Sequence, residues 1–229
     1  MKKEKNVTGG IDVFRYGKIV LAFLMTMGVL AGCTGSAAPE EEIHTVLENA
    51  IQKESEFEKQ QKPLVELENK EKELYEQITT LGMKEYDEIV KLSDEALASL
   101  DEREKLMEKE RTSIKNSEKE FKKIDDHIEA IEEKQVKQEV QTLKGTMEKR
   151  YKNHEVLYTS YQTSLDYDRE LYDLFKKEDL KMDELSAQID KINSAYQAVI
   201  KANEEFNAST ELYNKQKASF YKTAEIKTE

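Results

Sequence analysis

Eight of the chain's eleven tyrosines lie between Tyr151 and Tyr221. Aromatic faces at that density could stack on sugar rings, with the phenol hydroxyls bonding them. The tyrosines also follow an a/d-like helical spacing, which suits a core position with the phenol reaching the wet edge of a thin bundle. The spacing favours the core. Tyr158, Tyr161 and Tyr196 share a seam with Leu165 and Val199, whereas Tyr167 and Tyr221 fall off it and belong on the surface. Asn203, Asn207, Thr210, Asn214 and Lys217 follow one another at steps of three or four. They could form an exposed hydrogen-bonding strip, although polar residues at seam positions also specify register and partner number, and that structural role is favoured. A surface for interaction would use Tyr167, Asn207, Asn214 and Tyr221.

The histidines carry less. Glu41 and His44 have the Glu-x-x-His spacing of di-iron bundles, which need a second such motif and two further inward glutamates. No second copy occurs in the chain, so no metal is assigned. His154 falls on the seam between Tyr151 and Tyr158, which predicts a hydrogen-bonded core histidine. His127 has Lys123, Ile124, Ala130 and Ile131 as same-face neighbours and no ligand partner. There is no glycine-rich phosphate loop, nucleophile elbow or Cys–His pair. Carboxylates are too abundant for any pair to stand out, and most should be solvated and paired with Lys at i,i+4. No catalytic residue or cofactor is assigned, and the chain reads as a non-enzyme.

The single thiol has a more specific setting. Lys2, Lys3, Lys5, Arg15 and Lys18 precede an apolar run of twelve residues, Ile19 to Leu30. A membrane-spanning helix needs about twenty. A basic start, a short apolar core and small residues after it describe a secretory signal peptide. The run ends Leu30-Ala31-Gly32-Cys33, which resembles the lipobox of bacterial lipoprotein precursors. That resemblance implies cleavage before Cys33, loss of residues 1–32 and a diacylglyceryl group on the Cys33 sulfur. Two acyl chains anchor a protein stably, where one holds it only marginally. Residues 33–40 would then be the lipidated cysteine and a short, small-residue tether, leaving 41–229 as the body.

Composition narrows what that body does. Charged residues make up 37% and hydrophobic ones 38%, with eight Gly and two Pro, a turn-poor mixture that favours long helices. The formal net charge is −12. Removing the leader takes away five basic and two acidic residues, which leaves 31 positive and 46 negative side chains and a net of −15. Nucleic-acid binding needs a basic surface, and adsorption to anionic headgroups needs polybasic segments. Both are excluded, so attachment to a membrane should be covalent, through lipid on Cys33.

From Glu40 onward the apolar residues recur at helical steps. Four stretches emerge, predicting an all-α, elongated up-and-down bundle of four long helices with coiled-coil-like packing. Ile43 to Leu81 forms the first, with a bend expected at Pro63, and Gly82 is a good left-handed C′ residue after it. The second follows Tyr86, Ile89, Ala96, Leu100, Met107, Ile114, Phe121 and Ile131. Arg103 and Glu110 on that seam, and Asp168 on the next, should weaken it. The third starts at Val136 and runs to Phe175. Continuing the second seam would place Gln135, Gln138, Thr142 and Gly145 inside, so a turn is expected at Glu132–Gln135. The alternative is a three-helix arrangement or an extended coiled coil with the second and third helices continuous. Lys176 and Lys177 suit a helix C-terminus, and Asp179 could cap the fourth helix, which follows Met182, Ile189, Ile192, Val199, Phe206 and Phe220.

The runs Arg150-Tyr151, Tyr158-x-x-Tyr161, Leu171-Tyr172-x-Leu174-Phe175, Asn193-x-x-Tyr196, Phe206-Asn207-x-x-Thr210, Tyr213-Asn214-x-x-Lys217 and Phe220-Tyr221 resemble the YkyA-like family of lipoproteins of Gram-positive bacteria, to which cell-wall binding is ascribed. The resemblance spans essentially the whole chain. It implies an all-helical fold and residence at the outer face of the cytoplasmic membrane, and it brings no catalytic residue. The expected function is a non-enzymatic, membrane-anchored lipoprotein that binds cell-wall polymer. The alternative is a scaffold or regulatory subunit that packs helices against another envelope protein. Polymer, protein partner and oligomeric state stay open.

Overall fold

The computed structural model describes residues 38–227. Cys33, the expected leader and tether residues 33–37 lie outside the described residues. Helix α1 spans Pro39–Gln52, α2 Ser55–Thr80, α3 Tyr86–Phe121, α4 Asp125–Ile128, α5 Lys134–Phe175 and α6 Met182–Thr223. Single 3₁₀ turns, Met83–Glu85 and Lys122–Ile124, precede α3 and α4. No strand occurs among the described residues, so the all-α expectation holds.

Each helix start has a local cause. Pro39 opens α1, where its missing N–H costs nothing, and Glu40, Glu41 and Glu42 complement the positive helix end. Asp183 and Glu184 do the same for α6. Asp179 does not cap that helix, because α6 begins only at Met182. Gly82 is not left-handed either, with φ −106° and ψ 168°. Its backbone is extended, its N–H donates to Glu85 Oε2 at 3.1 Å, and its carbonyl accepts from the Glu85 N–H at 2.8 Å.

The first stretch breaks, but not at Pro63. The helix ends at Gln52, restarts at Ser55 and runs on through Pro63. The Lys59 carbonyl that Pro63 leaves without a donor lies at an exposed residue, where water can satisfy it. At the actual break, Ser113 of α3 supplies what the backbone loses. Its hydroxyl donates to the Lys53 carbonyl at 2.6 Å and accepts from the Phe57 N–H at 3.1 Å.

The turn between the second and third stretches falls at residues 129–133, slightly before the expected Glu132–Gln135. Lys137 Nζ closes it on Glu129 Oε2 at 2.9 Å. The continuous-helix alternative is thereby overturned.

Backbone contacts divide the described chain into two units. The first takes Lys62–Leu106 and Thr159–Lys201; the second takes 38–61, Met107–Tyr158 and 202–227. In the first, segments of α2, α3, α5 and α6 run alternately up and down around Leu64, Leu74, Ile78, Leu100, Leu165 and Ile192. In the second, α1 and the remaining segments enclose Ile43, Leu47, Ile114, Phe121, Leu143, Met147 and Phe206. Full burial of each such side chain contributes about 1.5–3 kcal/mol, which these highly charged helices need in order to persist.

Candidate functional site

The seam polar residues are not loose ends. Arg103, 0% exposed, donates through Nε to the Tyr161 hydroxyl at 2.9 Å and pairs through Nη1 with Glu71. Tyr161 donates to Glu68 Oε1 at 2.8 Å, Tyr172 to Glu71 Oε1 at 3.3 Å, and Tyr196 to Asp168 Oδ2 at 2.7 Å. Burial raises the Asp168 carboxyl well above its ordinary range, and the neighbouring Glu71 charge adds to this. Glu71 is raised as well, again by burial first. In the second unit, Glu110 is buried and accepts from Gln61 Nε2 at 2.5 Å.

The second unit holds its own buried layer. Arg150, 1% exposed, meets both Glu54 carboxylate oxygens at 2.7 Å and donates from Nε to Thr210 Oγ1 at 2.8 Å. Its guanidinium lies 4.7 Å from the centre of the Phe206 ring. Ser117 donates to Glu54 Oε1 and bonds the Tyr151 hydroxyl, both at 2.8 Å. His154 packs edge-on against Phe57 and Phe206 at 5.8 and 5.4 Å. It is core, as expected, but its Nε2 has no hydrogen-bond partner among the described residues. Burial, helped by the Arg150 charge, pushes its pKa down to about 3.

These layers use Tyr151, Tyr161, Tyr172 and Tyr196. Tyr161 is core and the Tyr196 phenol points inward to Asp168, while Tyr158 departs from expectation. It is half-buried, with its ring 4.4 Å under Arg111 and its hydroxyl donated to Glu108 at 2.8 Å. Tyr221, expected at the surface, is only 8% exposed; it donates to Glu48 at 2.7 Å and tilts against His44 at 4.9 Å. The cause is α1, whose residues cover this part of α6. Asn214 is exposed, and Asn207 is half-buried with an unpartnered Oδ1. These two belong to the second unit, and the half-buried Tyr167 to the first.

The open surface worth chemical attention lies instead along α5 and α6 of the second unit. A cleft of ≈ 520 Å³ is lined by Gly145, Thr146, Lys149, Asn153, Ser209 and Leu212, together with Thr142, Glu205 and Ala208. A neighbouring cleft of ≈ 300 Å³ shares Thr142 and adds Gln135, Gln138, Glu139, Gln216 and Ser219. The cleft between α3 and α5, ≈ 480 Å³, differs in character. Lysines and glutamates line it, and several already pair with one another, as do Lys122 and Glu118 at 2.8 Å.

Residues 38–223 match the model of a family described as "Putative cell-wall binding lipoprotein". The chain belongs to that YkyA family. A relative from Bacillus subtilis (strain 168), named "Uncharacterized lipoprotein YkyA", is 38% identical over 210 residues, which is 92% of this chain and 94% of that one. A solved Staphylococcus aureus structure, titled a conserved protein of unknown function, superposes with a TM-score of 0.61 at 19% identity. It covers 80% of this chain and 93% of its own, and the likeness is one of fold. In this YkyA-family chain no described helix is long and apolar enough to cross a membrane.

Reading the sequence for aromatic stripes missed the cleft of the YkyA-family body. A signal was present: in a chain with 37% charged residues, Gln135, Gln138, Thr142 and Gly145 form an uncharged row. That row argued only for a turn, yet the same residues face outward and line the groove. Glu54 was missed too, because its partner Arg150 lies 96 positions away.

Proposed function

We propose that the chain is a lipoprotein held by diacylglyceryl on Cys33 at the outer face of the cytoplasmic membrane, where its helical body binds cell-wall polymer without catalysing a reaction. The observation that carries this reading is the Leu30-Ala31-Gly32-Cys33 run at the end of a short apolar segment, directly before a body that matches a lipoprotein family described as wall-binding. The buried carboxylates with raised pKa have a structural role in the core. Glu71 and Asp168 are engaged with Arg103, Tyr172 and Tyr196 rather than aimed at a cleft. The scaffold alternative has less behind it, since the large apolar residues exposed among the described ones, Val156, Met182 and Leu212, do not form a seam.

Two measurements test the reading. Labelled fatty acid should enter the wild-type chain and not Cys33→Ala. The wild-type chain should sediment with purified sacculi. Label in the variant, or a chain that stays in the supernatant, would count against anchor and wall binding respectively.

A further inference from the structure

Gly145 sits in the interior of α5, exposed, on the floor of the α5–α6 cleft. A Cβ added there would meet nothing within 4 Å, and no glycine among the described residues has a positive φ. The fold therefore gains nothing from glycine at this position, and alanine would stabilise the helix. What glycine provides is an unobstructed approach to the backbone at the bottom of a groove.

The walls around it are acceptor-rich. The Thr142 hydroxyl donates to the Gln138 carbonyl at 2.9 Å and Thr146 to the Thr142 carbonyl at 3.2 Å, so each directs its proton into the helix and keeps lone pairs free. In the adjoining cleft that shares Thr142, Gln216 Oε1 is a buried acceptor with no partner among the described residues. Leu212, 48% exposed, and Ala208 add a small apolar platform. Such a wall suits a ligand with many O–H and amide N–H donors, together with C–H faces or methyl groups to rest on Leu212. A polyanion would meet the wrong field, because Lys149 is the single cation in the lining against Glu139 and Glu205 and the body is strongly acidic.

We propose that the α5–α6 cleft around Gly145 binds a neutral, N-acetylated glycan strand. The proposal rests on the wall-binding reading above and names its ligand class. Lining residues on α5 run from Gln135 to Asn153, about 27 Å at 1.5 Å per residue, which fits a run of sugar rings rather than a monosaccharide.

The full chain, extracted in detergent, is sedimented with intact sacculi and with sacculi stripped of teichoic acid. It is also titrated calorimetrically with soluble neutral β-linked N-acetylhexosamine oligomers. Gly145→Leu puts a side chain on the cleft floor, and Leu212→Glu is an independent surface variant. Wild type should bind stripped sacculi and oligomers. Both variants should lose at least tenfold in affinity while melting within a few degrees of wild type, and Gly145→Ala should melt higher than wild type. Wild-type binding that both variants retain overturns the cleft and leaves wall binding standing. Binding only to intact sacculi, or binding that free teichoic acid competes and neutral oligomers do not, overturns the ligand class. No binding to any sacculus overturns the wall-binding reading itself.

Discussion

Glu54 and Arg150 meet face to face in the core of the second unit, both carboxylate oxygens 2.7 Å from the guanidinium, 96 positions apart in the chain. Glu54 occupies the short gap between α1 and α2, so the interruption of the helix and the placement of the charge are one feature. Ser117 and Thr210 take up further hydrogen-bonding capacity of the pair.

Removing one member strands the other in the core. Glu54→Leu and Arg150→Met should each cost about 3–5 kcal/mol, while the double variant should recover most of that loss, since apolar replacement of a buried pair is often neutral. Urea unfolding of the four proteins in the cycle measures it. Additive losses would mean that the pair is not a coupled unit.

Ser113→Ala takes the partner from the buried Phe57 N–H at the α1–α2 break. The expected loss is about 1–3 kcal/mol. Hydrogen exchange at the Phe57 amide should rise more than at neighbouring α2 amides. Unchanged protection there would show that the serine is not what closes the break.

His154 makes acid sensitivity predictable. Its pKa is about 3 in the fold, against about 6.5 unfolded. A depressed value means that its stabilising contribution is present above pH 6.5 and disappears as pH falls toward 3. At about 1.4 kcal/mol per unit, roughly 3 kcal/mol is gone by pH 4.5. Relative to wild type, His154→Leu should therefore gain about that much between pH 7.5 and 4.5. A constant gap between the two melts would refute the assignment.

Asp168 has the opposite sign. Burial raises its carboxyl, so its contribution is full below the ordinary carboxylate pKa, about 3.9, and is lost as pH climbs through the raised value. Each added unit costs about 1.4 kcal/mol at higher pH. Asn at 168 keeps an acceptor for the Tyr196 hydroxyl without the charge. Asp168→Asn should melt above wild type at pH 8 and lose that advantage at pH 3. A variant that melts lower at pH 8 would show that the ionised carboxylate is needed.

Periodicity made the helices legible. Ile114, Phe121, Val136 and Phe206 were placed inside by spacing alone, and all are buried. A change of register marked the second turn to within a few residues. What spacing could not convey was anything settled by a distant partner. Pro63 drew attention as a bend because its cost is local, yet the helix is interrupted at Lys53–Glu54, where Ser113 and Arg150 can satisfy what is exposed. Tyr221 looked like surface until α1 covered it. The cleft stayed hidden because glutamine and threonine on an exposed row carry no signature, and Gly145 becomes informative only once the space above it is known to be empty.

The Ser113 bridge also bears on the order of events during folding. Local backbone bonds serve the Lys53, Glu54 and Glu58 N–H groups at the junction, but the Lys53 carbonyl and the Phe57 N–H are met by a hydroxyl 56–60 positions downstream. Ser113 of α3 therefore ties the end of α1 to the start of α2. The setting of α1 against α2 thus depends on a helix made later in the chain, and a lesion in α3 would surface as misplacement of α1.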